Sequence, residues 1–67
     1  MTEDLTPKEG EVLERLAGGL STDDIAGSMS ISGNAVKKHL KSIFAKLGIS
    51  DRANAVTEAF RRGFVRR

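Results

Sequence analysis

The residues best suited to chemistry are Asn34, Lys37, Lys38 and Lys41. Their spacing of i, i+3, i+4 and i+7 places the lysines within about 60° of Asn34 on a helix that advances about 100° per residue. Ala45 joins that face, and His39, Ser42 and Lys46 lie on its flank. No acid occurs between residues 33 and 47. A solvated helix normally interleaves both signs, because opposite charges at i,i+4 help it and like charges hurt it. Lys37 and Lys41 are a like pair at that spacing, with Lys38 beside them. A phosphate-lined groove would relieve the repulsion through counterion release. Lysine can also read guanine O6 and N7 in the major groove, and asparagine can read adenine N6 and N7. An ordinary basic surface is the plainer alternative.

Catalysis finds no comparable set of residues. The chain has no cysteine and one histidine, His39, which sits beside an apolar stripe. Metal chemistry would rest on carboxylates alone, and helix capping explains Asp23-Asp24 better than a metal site does. No nucleophile, base or metal constellation stands out, so neither an enzyme nor a cofactor is expected. Phe44, Phe60 and Phe64 read as core residues rather than base-stacking platforms, which argues against a single-strand binder.

Four helices must position these side chains, over about residues 7–18, 22–28, 33–47 and 51–62. The first starts in a capping box, Thr6-Pro7-Lys8-Glu9, with proline at the first helical position. Val12, Leu13, Leu16, Ala17 and Leu20 give its apolar stripe, and Gly18-Gly19 ends it. Gly10 inside it counts as a defect, costing about 1 kcal/mol relative to alanine. The second helix is short, capped by Ser21 with Asp24 in the reciprocal position, and turns Ile25, Ala26 and Met29 inward. Met29-Ser30-Ile31 reads as a tight connection with Ile31 plugging the core. The third runs from the N-cap Ser32 to Gly48, with Val36, Leu40, Ile43, Phe44 and Leu47 inward. The fourth starts at Ser50 or Asp51 and turns Ala55, Val56, Ala59 and Phe60 inward. Phe64-Val65-Arg66-Arg67 either folds back or frays. No alternating strand pattern appears, so the fold class is all-α.

A short helix, a tight turn and a longer helix make a helix-turn-helix, in which the second helix enters the major groove and the first braces it. Ser21, Thr22 and Ser32 then stand at helix N-termini, where free amides and the dipole attract phosphate. Charge agrees with this reading. Residues 1–24 hold seven acids against Lys8 and Arg15, a net −5, and residues 25–67 hold nine bases against Asp51 and Glu58, a net +7. Such a split produces a one-sided field suited to a polyanion. At 67 residues the chain holds one domain with a small core. No apolar run is long enough to cross a membrane, and Met1-Thr2-Glu3-Asp4 lacks the order of a signal peptide, so a soluble cytoplasmic protein is expected.

Leu5-Thr6-Pro7-Lys8-Glu9, Val12-Leu13, Ala17-Gly18-Gly19-Leu20-Ser21, Ile25-Ala26, Ile31-Ser32, Val36-Lys37-Lys38-His39 and Lys46-Leu47-Gly48-Ile49 resemble the LuxR-type (GerE/NarL-like) DNA-binding domain. Arg52, Ala55 and Val56 continue the match, which covers residues 5 to about 64. The resemblance implies a four-helix domain with a recognition helix third in order. It implies a transcription regulator that binds paired half-sites as a homodimer through its fourth helix. By position, Lys37, Lys38 and Lys41 correspond to groove residues, and Lys46, Ser32 and the start of the second helix to backbone contacts. The chain departs from the pattern at Ala35, where threonine is common, at Gly33-Asn34, which replaces an acidic start, and at Gly10. On the fourth helix the outward arc, Asn54, Thr57, Glu58 and Arg61, is polar, so a dimer through it is expected to be weak.

The expectation is therefore a sequence-specific regulator on double-stranded DNA. Asn34, Lys37, Lys38 and Lys41 would read bases, and Ser21, Thr22, Ser32 and Lys46 would hold the backbone. Recruitment or blocking of RNA polymerase would follow from where the site lies. Two alternatives stay open: a sigma-factor-like promoter-recognition domain, and a basic helical module for an acidic protein partner. Arg61, Arg62, Arg66 and Arg67 suit either backbone contacts or a solvated tail, and Arg52 is expected to pair with an acid of the first helix.

Overall fold

A computed structural model describes residues 5–64, and the tail residues Val65, Arg66 and Arg67 lie outside them. Four helices follow one another: α1 (Pro7–Ala17), α2 (Thr22–Met29), α3 (Gly33–Leu47) and α4 (Arg52–Arg61). No strand occurs among the described residues. Four of the eight helix limits match the sequence reading and four differ by one residue, α2 extending to Met29.

Each helix starts on a side chain that accepts an otherwise unpaired backbone amide. Thr6 takes the amide of Glu9, and the Glu9 carboxylate takes the amide of Thr6 at 2.9 Å, completing the expected box. Ser21, Ser32 and Asp51 accept from Asp24, Ala35 and Asn54. Asp51, not Ser50, is therefore the cap of α4. In α2 only the Ser21 half of the expected box forms.

The four helices also end alike. Gly19, Ser30, Gly48 and Gly63 have positive φ, and each precedes an apolar residue. The amide of that residue closes onto a carbonyl five positions back: Leu20 to Arg15, Ile31 to Ala26, Ile49 to Phe44 and Phe64 to Ala59. All four apolar side chains pack against the core. This is the hydrophobic closure of a helix C-terminus, repeated four times. Three of the four left-handed positions carry glycine. Ser30, in the turn between α2 and α3, adopts φ 56° with a side chain present.

The core is Val12, Leu13, Leu16, Ile25, Ala26, Val36, Ile43, Ala55 and Ala59. α1 is central: it packs on both α3 and α4, while α2 packs mainly on α3. The inward faces read from periodicity hold for α1, α2 and α3. On α4 only Ala55 and Ala59 reach the core, and Val56 and Phe60 are half-buried at its edge. The α4 positions that face the core are thus the small ones, Ala55 and Ala59.

Gly10 is not a defect. A Cβ there would stand 2.8 Å from Cε1 of Phe64. The Phe64 ring lies over α1 and fills the space that a side chain at position 10 would need; the rest of the tail lies outside the described residues.

Candidate nucleic-acid interface

α3 has two sides with opposite tasks. Val36 and Ile43 are buried against α1 and α2, which fixes the rotation of the helix. That rotation turns Asn34, Lys37, Lys38, Lys41 and Ala45 to solvent, and all five are exposed. The positioning therefore follows from core packing on the far side.

Most of the other cations are tied down. Arg15 Nε donates to Ser28 Oγ at 2.9 Å, joining α1 to α2. Arg52 Nη2 donates to the carbonyls of Leu16 and Leu20 at 3.0 and 2.9 Å. The partner expected for Arg52 was an acid of α1. Instead it binds the Leu16 carbonyl in the last turn of α1, where the helix dipole also favours a cation, and the Leu20 carbonyl in the turn that follows. Arg61 and Arg62 both bind Glu58, at 2.9–3.1 Å and 3.0 Å. The bonds from Arg61 and then Arg62 hold the Glu58 carboxyl below its ordinary range. By contrast, Lys37, Lys38 and Lys41 have no hydrogen bond or ion pair among the described residues.

Lys46 separates from that group. Its ammonium donates to Glu9 Oε1 at 2.7 Å, and Ser42 Oγ donates to Glu9 Oε2. Glu9 is 5% exposed, and the Thr6 amide also reaches it. Burial pushes its carboxyl up, but the bonds from Lys46, Ser42 and Thr6 outweigh that and bring it down to about 2. The Lys46 side chain is 19% exposed. Besides the backbone contact expected of it, it joins α1 to α3 through Glu9. Sequence reading saw Glu9 only as a capping residue, because no local pattern links it to side chains 33 and 37 residues later.

At the other end of α3, the starts of α2 and α3 converge on a shallow open cleft. Ser21 and Thr22 line one wall, and Ser32, Asn34 and Lys37 line the other. Both helix N-termini thus point their free amides into the same region as a lysine, an arrangement suited to an anion. Asp23 lines the cleft too. No group of three or more metal-ligating side chains occurs among the described residues. No helix among them is long and apolar enough to cross a membrane.

The family model "Bacterial regulatory proteins, luxR family" matches residues 3–59. The chain belongs to this family. It is a LuxR-type helix-turn-helix domain, of the kind found in DNA-binding transcription regulation. It is similar to the "Probable transcriptional regulatory protein NarL" of Mycobacterium tuberculosis, with 46% identity over 57 residues, which are 85% of this chain and 26% of that protein. It is 50% identical over 54 residues to a further regulator, SgaR of Hyphomicrobium methylovorum, covering 81% of this chain and 26% of SgaR. Among solved structures, the transcription factor GerE superposes with a TM-score of 0.82 at 34% identity, covering 96% of this chain and 97% of that one. The response regulator ChrA of a heme-sensing two-component system superposes at 0.86 with 36% identity, covering 94% of this chain and 31% of ChrA. The LuxR-type domain thus spans about a quarter of the length of NarL and SgaR. Family membership sets aside the sigma-factor-like alternative.

Proposed function

We propose that this domain binds double-stranded DNA in a sequence-specific way, with α3 in the major groove, and regulates transcription from the bound site. The observation that carries the reading is the contrast among the cations. Lys37, Lys38 and Lys41 stand unpaired together on one exposed face of α3, whereas the arginines around them are internally bonded. Unpaired lysines on one face cost repulsion in the free protein and gain most from a polyanion.

In this mechanism the basic face draws the domain onto the duplex. Ser21, Thr22 and Ser32, with the amides they precede, orient it on backbone phosphates. Lys37, Lys38, Lys41 and Asn34 then reach base edges. Two copies would occupy half-sites about one helical turn apart. The fourth helix suits a modest dimer contact. The polar groups of Asn54, Thr57, Glu58 and Arg61 are already engaged within α4 and its cap, and half-buried Val56 and Phe60 flank them with some apolar area. RNA polymerase would be recruited or blocked according to where the site lies.

Selection of binding sequences from a random duplex pool tests this. An enriched motif is expected, and an inverted repeat in it would establish dimeric binding. Salt-sensitive retention with no enriched motif would reduce the lysine face to an electrostatic patch. No retention at all would favour an acidic protein partner.

A further inference from the structure

The cleft between the starts of α2 and α3 contains a residue that opposes the role proposed for it. Asp23 lines this cleft together with Ser21, Ser32, Asn34 and Lys37. Its Oδ1 lies 3.9 Å from where a Cβ on Gly33 would stand, so the carboxylate reaches across to the first turn of α3. Capping does not employ that carboxylate, since Ser21 caps α2 through the amide of Asp24. Asp23 has no hydrogen bond or ion pair among the described residues. A carboxylate in the first turn of α2 gains something from the dipole, but Asp24 in the same turn supplies that on the outside of the cleft.

We infer that Asp23 is an affinity-limiting residue of the DNA interface: its exposed carboxylate lines the concave site that both helix N-termini and Lys37 offer to a backbone phosphate. The inference rests on the DNA-binding reading above. Two like charges a few ångströms apart in a water-facing cleft repel by an amount worth about fivefold in affinity, and salt screens the effect. Because phosphate contacts carry no sequence information, the repulsion weakens binding to every duplex. It therefore holds down the sequence-independent binding that a basic face otherwise gives, and leaves discrimination to the lysines further along α3.

The test compares the unaltered chain with Asp23→Asn and Asp24→Asn, using fluorescence anisotropy on two labelled duplexes. One duplex carries the selected motif and the other its scrambled sequence, and salt runs from about 50 to 300 mM. Asp24→Asn changes net charge equally but from outside the cleft. Asp23→Asn is expected to tighten binding to both duplexes about fivefold at the lowest salt, with the gain shrinking as salt rises. Asp24→Asn should gain less than half as much. Equal gains for the two variants, or none, would overturn the assignment. Weaker binding by Asp23→Asn to the motif duplex alone would overturn it as well, by making Asp23 a base-reading residue. Failure of the unaltered chain on both duplexes would instead sink the DNA-binding reading, and the inference with it. Thermal melting by circular dichroism verifies that each variant is folded, and the serine substitution at the same position, Asp23→Ser or Asp24→Ser, replaces an asparagine variant that is not.

Discussion

Helix α3 carries its lysines in two settings. At its C-terminal end, Lys46 is mostly buried and bonded to Glu9, which is 5% exposed and also held by Ser42 and the Thr6 amide. Two turns earlier, Lys37, Lys38 and Lys41 face solvent without partners among the described residues. The side chains are chemically identical, and all four fall on or beside one basic face when the sequence is plotted on a helix. What separates them is the neighbour across the helix interface. Lys46 comes down against α1, where a carboxylate waits, and the other three are exposed with no carboxylate bonded to them. A cation bonded to a buried carboxylate serves the fold. A cation left without one remains available for a ligand.

The sharpest way to break this comparison is to remove one member of the buried junction. Glu9→Gln leaves Lys46 without its counter-charge in a mostly enclosed site. It should lower unfolding stability by about 3 kcal/mol, measured by urea denaturation at neutral pH. A loss under about 1 kcal/mol would place the junction among ordinary surface ion pairs.

Acid titration probes the same junction without mutation. The Glu9 carboxyl falls from 4.5 to about 2 on folding, so its contribution is fully present above pH 4.5 and is lost as pH falls toward 2. The shift corresponds to about 3 kcal/mol, and a pH series of thermal melts should show a loss of that order between those limits. Glu9→Gln should flatten most of that dependence.

A lysine of the exposed face should behave in the opposite manner. Lys38→Ala is expected to leave stability within about 0.5 kcal/mol and to cost about 1–3 kcal/mol in binding at one base pair of the motif. Equal weakening on all duplexes would make Lys38 a phosphate contact. A large loss of stability would mean that the exposed face and the buried junction do not differ in the way described.

Two smaller effects concern the frame that holds both regions. Gly10→Ala removes a poor helix former, yet its Cβ would press on the Phe64 ring. It should destabilise by about 1 kcal/mol instead of stabilising, and Phe64→Leu should relieve the clash in the double variant. Ser30→Gly, at the one left-handed position without glycine among the described residues, should raise the melting temperature by an amount worth about 0.5 kcal/mol.

Much of this domain is legible in the order of its residues. Caps at Thr6, Ser21 and Ser32, and glycines at 19, 48 and 63, mark the helices through local rules of hydrogen bonding and backbone sterics. The inward faces of α1, α2 and α3 follow from the 3.6-residue period, and the exposure of Asn34, Lys37, Lys38 and Lys41 follows from the same period seen from outside. All these signals act within one or two helical turns. Val56 and Phe60 show where that range ends. Periodicity places them inward, but only Ala55 and Ala59 of α4 are fully buried, and Val56 and Phe60 are half-buried.

The remaining features needed the tertiary structure. Glu9 meets Ser42 and Lys46, Arg52 meets the carbonyls of Leu16 and Leu20, Phe64 covers Gly10, and Asp23 lines the cleft beside Gly33. Each pairing depends on the relative rotation and translation of packed helices, and the shape of the shared core sets both. The sequence by itself determined which segments become helices and which stripe of each turns inward. Only packing decided which polar side chains meet across the helices, because contacts between residues far apart in the chain leave no local period to read.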